Sequence, residues 1–432
     1  MLKELKLGKH QIQIRFRWLN NKDFIMSLSI TQYPATCSLA QSPMVFTVVE
    51  NTGVVYSSSF QYYADLYYWE GAPNQSGSSG DYTLTKYPNT SLVGMFDVSR
   101  IINSTLTNLA FDDTSNVKYY KCDFYWQYTN ASNVIVSSSK VPSGTYKALD
   151  GYALFQEPIN QQIVSKSAYW PIMSDGPVTQ SFLEDTLGWM SVYTGNVGTT
   201  QPTKLVYSGS FGNANYALTT SVSSSGQISY FPIGMTCDDF PLSENSEWFS
   251  VQAFNGNTPL GASIRFERDC IQKYPNVRIK WKNRYGQFDY LNFYMVNRQG
   301  FSSTKRTYQP QLGTWQGTSL SYQDYESSTL NYISDSKQTL SVNTPYINED
   351  YNEIWKQLLV SDEIYWVYGQ DSEGEGFNNG FANGFAAGVT TTEIVRPITI
   401  RTDSLTFKTG VNDKLIQYQF DFDWGQAYKL II

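Results

Sequence analysis

The chain has 432 residues, enough for two or three domains of about 150 to 250 residues each. Its 33 tyrosines, 24 phenylalanines and 11 tryptophans make 16% of it aromatic, while charged residues also reach only 16% and the formal net charge is −7. That balance excludes a disordered polyelectrolyte and a coiled coil, and it offers no global basic field for non-specific nucleic-acid binding.

In chain order, residues 1–6 lack the apolar core of about 7 to 15 residues that a secretory signal needs, and no later run reaches the ~18 apolar residues of a membrane span. Ile12, Phe16 and Trp18, with Ile14, alternate with Gln13, Arg15 and Arg17, which predicts a strand or arm over residues 1–26. From there, short runs rich in Tyr, Phe, Val, Ile and Thr are broken about every ten residues by Ser, Gly and Asn, the pattern of sandwiches and barrels. A first β domain is expected over 27–115. It holds strands at 45–49 and 60–69, and Asp97 is placed to cap a short helix.

An elaborated β region is expected over 116–275, opening with an aromatic strand at 119–128 and interrupted by polar stretches at 136–146 and 196–220 that read as loops or edge hairpins. The last domain, 276–432, is more explicit. Val277, Ile279 and Trp281 alternate with Arg278, Lys280 and Lys282, then Asn283-Arg284-Tyr285-Gly286 leads into the apolar run 288–296, which predicts a hairpin with an outward basic face. After Asn348, the residues Tyr351, Ile354, Trp355, Leu358 and Leu359 fall on one helical stripe. A second hairpin is predicted from Leu405 and Phe407, through a turn at 410–413, to residues 415–424. The fold class expected is all-β: several β-sandwich-like domains with hairpins and one or two short helices.

A segment of period four, Gly376-Phe377-Asn378-Asn379, Gly380-Phe381-Ala382-Asn383 and Gly384-Phe385, falls within an insertion at 374–388. Glycine costs ~1 kcal/mol per residue in a helix, so an isolated helix would melt. Two readings stand: a flexible glycine-rich tip, or Phe377, Phe381 and Phe385 ordered against a neighbouring subunit, since exposed aromatics in a row call for a partner.

Catalytic chemistry is sparse. His10 is the only histidine, so a Ser-His-Asp or Cys-His mechanism and a multi-histidine zinc site both lack their parts. The cysteines at 37, 122, 237 and 270 form no CxxC pair and read as free buried thiols, with two disulfides as the alternative. A carboxylate-only glycosidase needs two acids ~5 to 9.5 Å apart. Asp238 with Asp239, and Asp421 with Asp423, are the close pairs, but they read as a turn and as the solvated side of a sheet. Asp371-Ser372-Glu373-Gly374-Glu375 lacks EF-hand spacing, and no phosphate-binding glycine motif occurs. No cofactor, metal or catalytic residue is expected.

Three blocks carry a resemblance. The first is Ser27-Leu28-Ser29-Ile30-Thr31-Gln32-Tyr33-Pro34, continuing to Phe96-Asp97-Val98-Ser99-Arg100-Ile101-Ile102. The second is Lys282-Asn283-Arg284-Tyr285-Gly286-Gln287-Phe288-Asp289-Tyr290-Leu291-Asn292-Phe293. The third joins Leu358-Leu359-Val360-Ser361-Asp362-Glu363-Ile364-Tyr365 to Pro397-Ile398-Thr399-Ile400 and to residues 407–416. In this order they resemble virion structural proteins of phages that infect Bacteroidetes, including crAss-like phages. The resemblance implies a non-enzymatic β-rich subunit of the tail or collar of a short-tailed phage, made in the host cytoplasm and carried in the virion. It implies a homo-oligomeric ring of about twelve or six copies around the DNA channel, touching other tail, collar or portal proteins, with DNA passing unbound and no membrane span. The candidate subunit contacts are Phe377, Phe381, Phe385, Ile12, Phe16 and Trp18. A receptor- or glycan-binding tail protein is the alternative.

Overall fold

The computed structural model describes residues 28–70, 80–106, 117–157, 171–183, 188–194, 202–218, 228–234, 240–243, 245–269, 274–313, 318–371, 392–409 and 416–425. The N-terminal arm and the Gly-Phe segment lie outside them, and so do all six candidate contacts. The described residues form the expected all-β, multi-sheet architecture with two short helices.

The first unit contains β1 (Ser29–Gln32), β2 (Cys37–Leu39), β3 (Val45–Val49), β4 (Gln61–Trp69), β5 (Tyr82–Lys86), β6 (Val93–Asp97), α1 (Ser99–Thr105), β7 (Val117–Thr129), β8 (Ile135–Ser137), β9 (Val141–Pro142) and β10 (Tyr146–Leu149). A three-stranded sheet, β1-β3-β6, faces a larger one ordered β2-β10-β7-β4-β5, with β8 and β9 along β7. Both use the two-residue alternation of a half-buried strand: Phe46, Val48 and Phe96 from one sheet meet Tyr62, Ala64, Leu66, Tyr120, Cys122 and Phe124 from the other. The rings of Phe46 and Phe96 lie 5.3 and 5.6 Å from that of Phe124. Asp97 ends β6 and accepts hydrogen bonds from the Ser99 and Met44 amides at 3.0 and 3.1 Å; the N-cap position of α1 is Val98, so Asp97 holds the helix start from one residue outside the expected cap. The boundary expected at 115/116 falls inside this sandwich, because β7 and β10 lie between β2 and β4, strands of the same sheet that precede residue 87. The unit runs to Leu149.

The middle unit comprises β11 (Thr179–Phe182), β12 (Trp189–Tyr193), β13 (Lys204–Gly209), β14 (Gly212–Ala217), β15 (Ile228–Pro232), β16 (Trp248–Asn255) and β17 (Thr258–Arg268). A five-stranded sheet, β11-β17-β16-β13-β14, and the ribbon β12-β15 enclose Leu205, Tyr207, Phe231, Phe249, Val251 and Phe266. The polar stretch 196–220 therefore contains a real edge hairpin, β13 with β14.

The last unit is one antiparallel seven-stranded sheet, β19-β18-β22-β23-β24-β21-β20. Its strands are β18 (Val277–Lys282), β19 (Phe288–Phe293), β20 (Arg298–Tyr308), β21 (Leu330–Asn343), β22 (Ile364–Asp371), β23 (Thr392–Ile400) and β24 (Gln419–Trp424), with α2 (Asn352–Val360) packed on one face. The predicted helical stripe is buried there. Trp355 is 1% exposed, its ring 5.1 Å from Phe420 and 6.3 Å from Phe293, and Ile354 and Leu358 join the same core as Trp281.

The opposite face of the same sheet gives Phe288, Tyr290 and Val367 to the core of the middle unit. Because β18 pairs Lys280 with Tyr290 and Lys282 with Phe288, its basic side chains point into that interface. This corrects the outward basic face expected from the alternation: all six residues of β18 are buried, Lys280 completely. A sheet covered on both faces has no wet side for the period to mark.

The predicted second hairpin is corrected as well. Residues 401–409 form no strand, and both positions beside β24 are filled by β23, through Ile398↔Trp424 and Ile400↔Phe422, and by β21. The turn expected at 410–413 lies outside the described residues. Asp421 and Asp423 do share the face opposite Phe420 and Phe422, as predicted, but they are engaged there. Asp423 pairs with Lys337 at 2.6 Å and Arg401 at 3.5 Å, while Asp421 accepts from Ser341 and Gln419.

Candidate functional site

Two features stand out once the sheets are in place: a buried ionic junction at the β18–β19 turn, and an exposed ribbon at the far edge of the last sheet.

The turn Asn283-Arg284-Tyr285-Gly286 builds itself first. The Asn283 carboxamide oxygen accepts from the amides of Tyr285 and Gln287 at 3.0 and 3.1 Å, and its nitrogen donates to the Met173 carbonyl at 2.9 Å. Gly286 has φ +70 and Gly151 φ +114, both in the region that favours glycine. A Cβ on Gly286 would stand 2.8 Å from the Asp150 carbonyl oxygen, and one on Gly151 would stand 2.2 Å from that of Arg284. The two backbones touch only because neither residue has a side chain.

Across that contact the charges pair. Lys282 Nζ lies 2.6 Å from Asp150 and 3.2 Å from Glu363, and Asp150 also accepts from Gln41 at 3.1 Å. Arg284 pairs with Asp175, and its Nη1 donates to both oxygens of Glu157 at 3.0 and 3.1 Å. Tyr285 donates to Asp175 at 2.9 Å, as does Gln357 from α2. Burial opposes both cations, but the carboxylates outweigh it, so Lys282 and Arg284 titrate above their ordinary values. At Glu363 the balance is reversed: burial exceeds the attraction of Lys282 and raises its pKa.

Farther along β18, Lys280 Nζ sits 5.2 Å from the Phe288 ring and 5.8 Å from that of Tyr365, while the Arg278 guanidinium lies over Tyr290 at 4.9 Å and donates to Asn292 at 2.7 Å. Residues of the first and last units and of the connection 150–178 thus meet in one network. A cleft of about 380 Å³ opens beside it, lined by Gln41, Tyr152, Lys282, Asn283, Ser361 and Asp362. On its rim, Ser361 donates to the Lys282 carbonyl at 2.9 Å. The arrangement holds acids against bases, and removing one partner strands a buried charge.

The ribbon is the opposite case. β20 and β21 pair from Arg298↔Ser341 to Tyr308↔Leu330, and every residue of β20 is exposed. The distal end and its connecting loop carry exposed aromatic and aliphatic side chains: Tyr325 86%, Tyr322 69%, Tyr332 57%, Leu320 55%, Tyr308 47% and Leu330 41%. A single exposed apolar side chain is ordinary, whereas six lie within residues 308–332. Sequence reasoning passed over residues 298–343 because strands rich in Ser and Thr on both faces show no apolar period. The spacing of Tyr308, Tyr322, Tyr325 and Tyr332 was the available signal.

Among the described residues no group of three or more His, Cys, Asp or Glu side chains could hold a metal, and no helix is long and apolar enough to cross a membrane. Cys37 and Cys122 are free and buried, and burial pushes the Cys37 thiol up to about 11. His10, Cys237, Cys270, Asp238 and Asp239 lie outside the described residues.

No protein-family model matches this chain, and no curated protein matches it at a significant level.

Proposed function

We propose that this chain is a structural subunit of a phage virion, acting in a homo-oligomeric ring around the DNA channel of a tail or collar. The observation that carries the reading is the apolar distal end of the β20–β21 ribbon, a surface that a solitary soluble chain has reason to cover. The phage assignment rests on the three sequence blocks of the resemblance. A net charge of −7 suits a channel wall, because cationic walls hold phosphates and would slow passing DNA. The ionic junction suits a part that bears force, since it ties the last unit to the connection between the first two. No bond-making step belongs to this reading.

Native mass measurement and negative-stain imaging of the purified chain test it. Closed rings are the expected result. A chain that stays solitary both free and inside particles refutes it. The exposed tyrosines at 322, 325 and 332 favour one second reading, a glycan-binding tail protein, because tyrosine rings stack on sugars. Trimers that bind host capsule polysaccharide would replace the ring with that.

A further inference from the structure

From Thr339 to Ser341, β21 lies between β20 and β24; from residue 338 outward β20 is its only strand partner among the described residues. β20 is the last strand of the sheet. Eight registered pairs, Phe301↔Gln338 to Tyr308↔Leu330, therefore stand as a two-stranded ribbon with both long edges open. Two strands alone are marginal in water.

Between Phe301 and Ile333 the faces are mostly polar. Paired residues share a face, so beyond Phe301 one side shows Ser303, Lys305, Ser334 and Ser336, and the other Ser302, Thr304, Arg306, Asp335 and Lys337, with Ile333 at its outer end. A partner laid on either face would bury hydroxyls and charges. The unmade bonds are on the edges, where backbone N–H and C=O groups point outward.

We propose that the ribbons of neighbouring copies pair edge to edge, the outer edge of β20 in one copy against the outer edge of β21 at 330–338 in the next, and close into an antiparallel β-barrel. The proposal rests on the ring reading above and specifies its contact. Three observations single out a second copy as the occupant. Each ribbon presents one edge of each strand, and β20 and β21 already pair antiparallel within the hairpin, so adding the next ribbon continues the alternation. The joined edges differ, so the contact is head-to-tail and closes as a ring. Charge matches too. Asp335 is in register with Thr304, and Arg306, two residues along on the same face, has no ion pair among the described residues; Lys305 points to the other face. A neighbour's β21 laid along β20 in the hairpin's own register sets its Asp335 diagonally beside Arg306. Closure removes every free edge, and the polar faces suit a wall wetted on both sides.

The test uses the full chain in three forms: Arg306→Glu alone, Asp335→Lys alone, and both substitutions together. Circular dichroism and melting check that each folds, and sedimentation with native mass reads assembly. Each of the first two forms should need at least tenfold more protein than wild type for half-assembly. Their equimolar mixture, and the double form alone, should recover the wild-type value. Overturning results are assembly of either of the first two forms at wild-type concentration, or a mixture and double form that stay dissociated. A wild-type chain that is itself solitary removes the ring reading first. Wild-type rings that survive both charge reversals remove only the barrel, as would binding of a strand from an unrelated protein along β20.

Discussion

Asp289 gives the sharpest quantitative test. It lies on β19 with 6% exposure, in register with Trp281. Burial raises its pKa; hydrogen bonds from Ser174 and Asn283 pull it back, Asp175 adds to the rise, and the outcome is about 7 against an ordinary 3.8. The native state therefore keeps a proton that the unfolded chain releases between these two values. Stability contributed by the neutral carboxyl is complete below about pH 4, declines as pH rises toward 7, and is gone above it. A gap of about three units at ~1.4 kcal/mol each sets an upper scale of about 4 kcal/mol. The perturbation is Asp289→Asn, which stays neutral at every pH. Denaturant unfolding of both proteins at unit steps from pH 4 to 9 provides the comparison. The stability of wild type minus variant should fall by several kcal/mol between pH 4 and 7 and then flatten. Parallel curves across that window would show that Asp289 ionises in the fold as it does in water, and the description of its surroundings would be wrong.

Other substitutions probe the packing and the junction. Arg284→Ala strands Asp175 and Glu157 in partly buried positions and should cost about 3 to 5 kcal/mol by denaturant unfolding, with Arg284→Met costing less than Ala through retained packing. Trp355→Ala empties the centre of the α2 core and should cost about 3 to 5 kcal/mol, seen as a lower midpoint at unchanged slope. Gly94→Ala would put a methyl 2.6 Å from the Tyr62 ring, whose hydroxyl is tied to the Leu92 carbonyl at 2.8 Å; about 1 to 3 kcal/mol of overpacking should appear as a lower Tm.

Where the sequence carried an apolar period, the fold was legible. β3, β4 and β7 sit where the aromatic and β-branched runs place them, and the α2 stripe lies on its core as the three- and four-residue spacing requires. Alternation failed in β18, because basic side chains between Val277, Ile279 and Trp281 look the same whether water or a second layer faces them. The deciding partners are Asp150, Glu157 and Asp175, more than a hundred residues away in sequence. The segment holding Leu405 and Phe407 failed differently: both flanks of β24 were already taken by β21 and β23, which local pattern does not reveal. The ionic junction was invisible for the first reason and the ribbon for lack of any period. Nothing in Ser302 to Thr304 separates a standing hairpin from a loop.

The double duty of the last sheet limits how the gene can be dissected. A fragment stopping at residue 275 would open the middle core where Phe288, Tyr290 and Val367 belong, and one starting there would bare Arg278 and Lys280, leave Arg284 without Glu157 and Asp175, and leave Lys282 with Glu363 alone. Truncations made at that seam to find a minimal active piece should therefore yield insoluble halves, whereas the two halves expressed together have the means to complement each other.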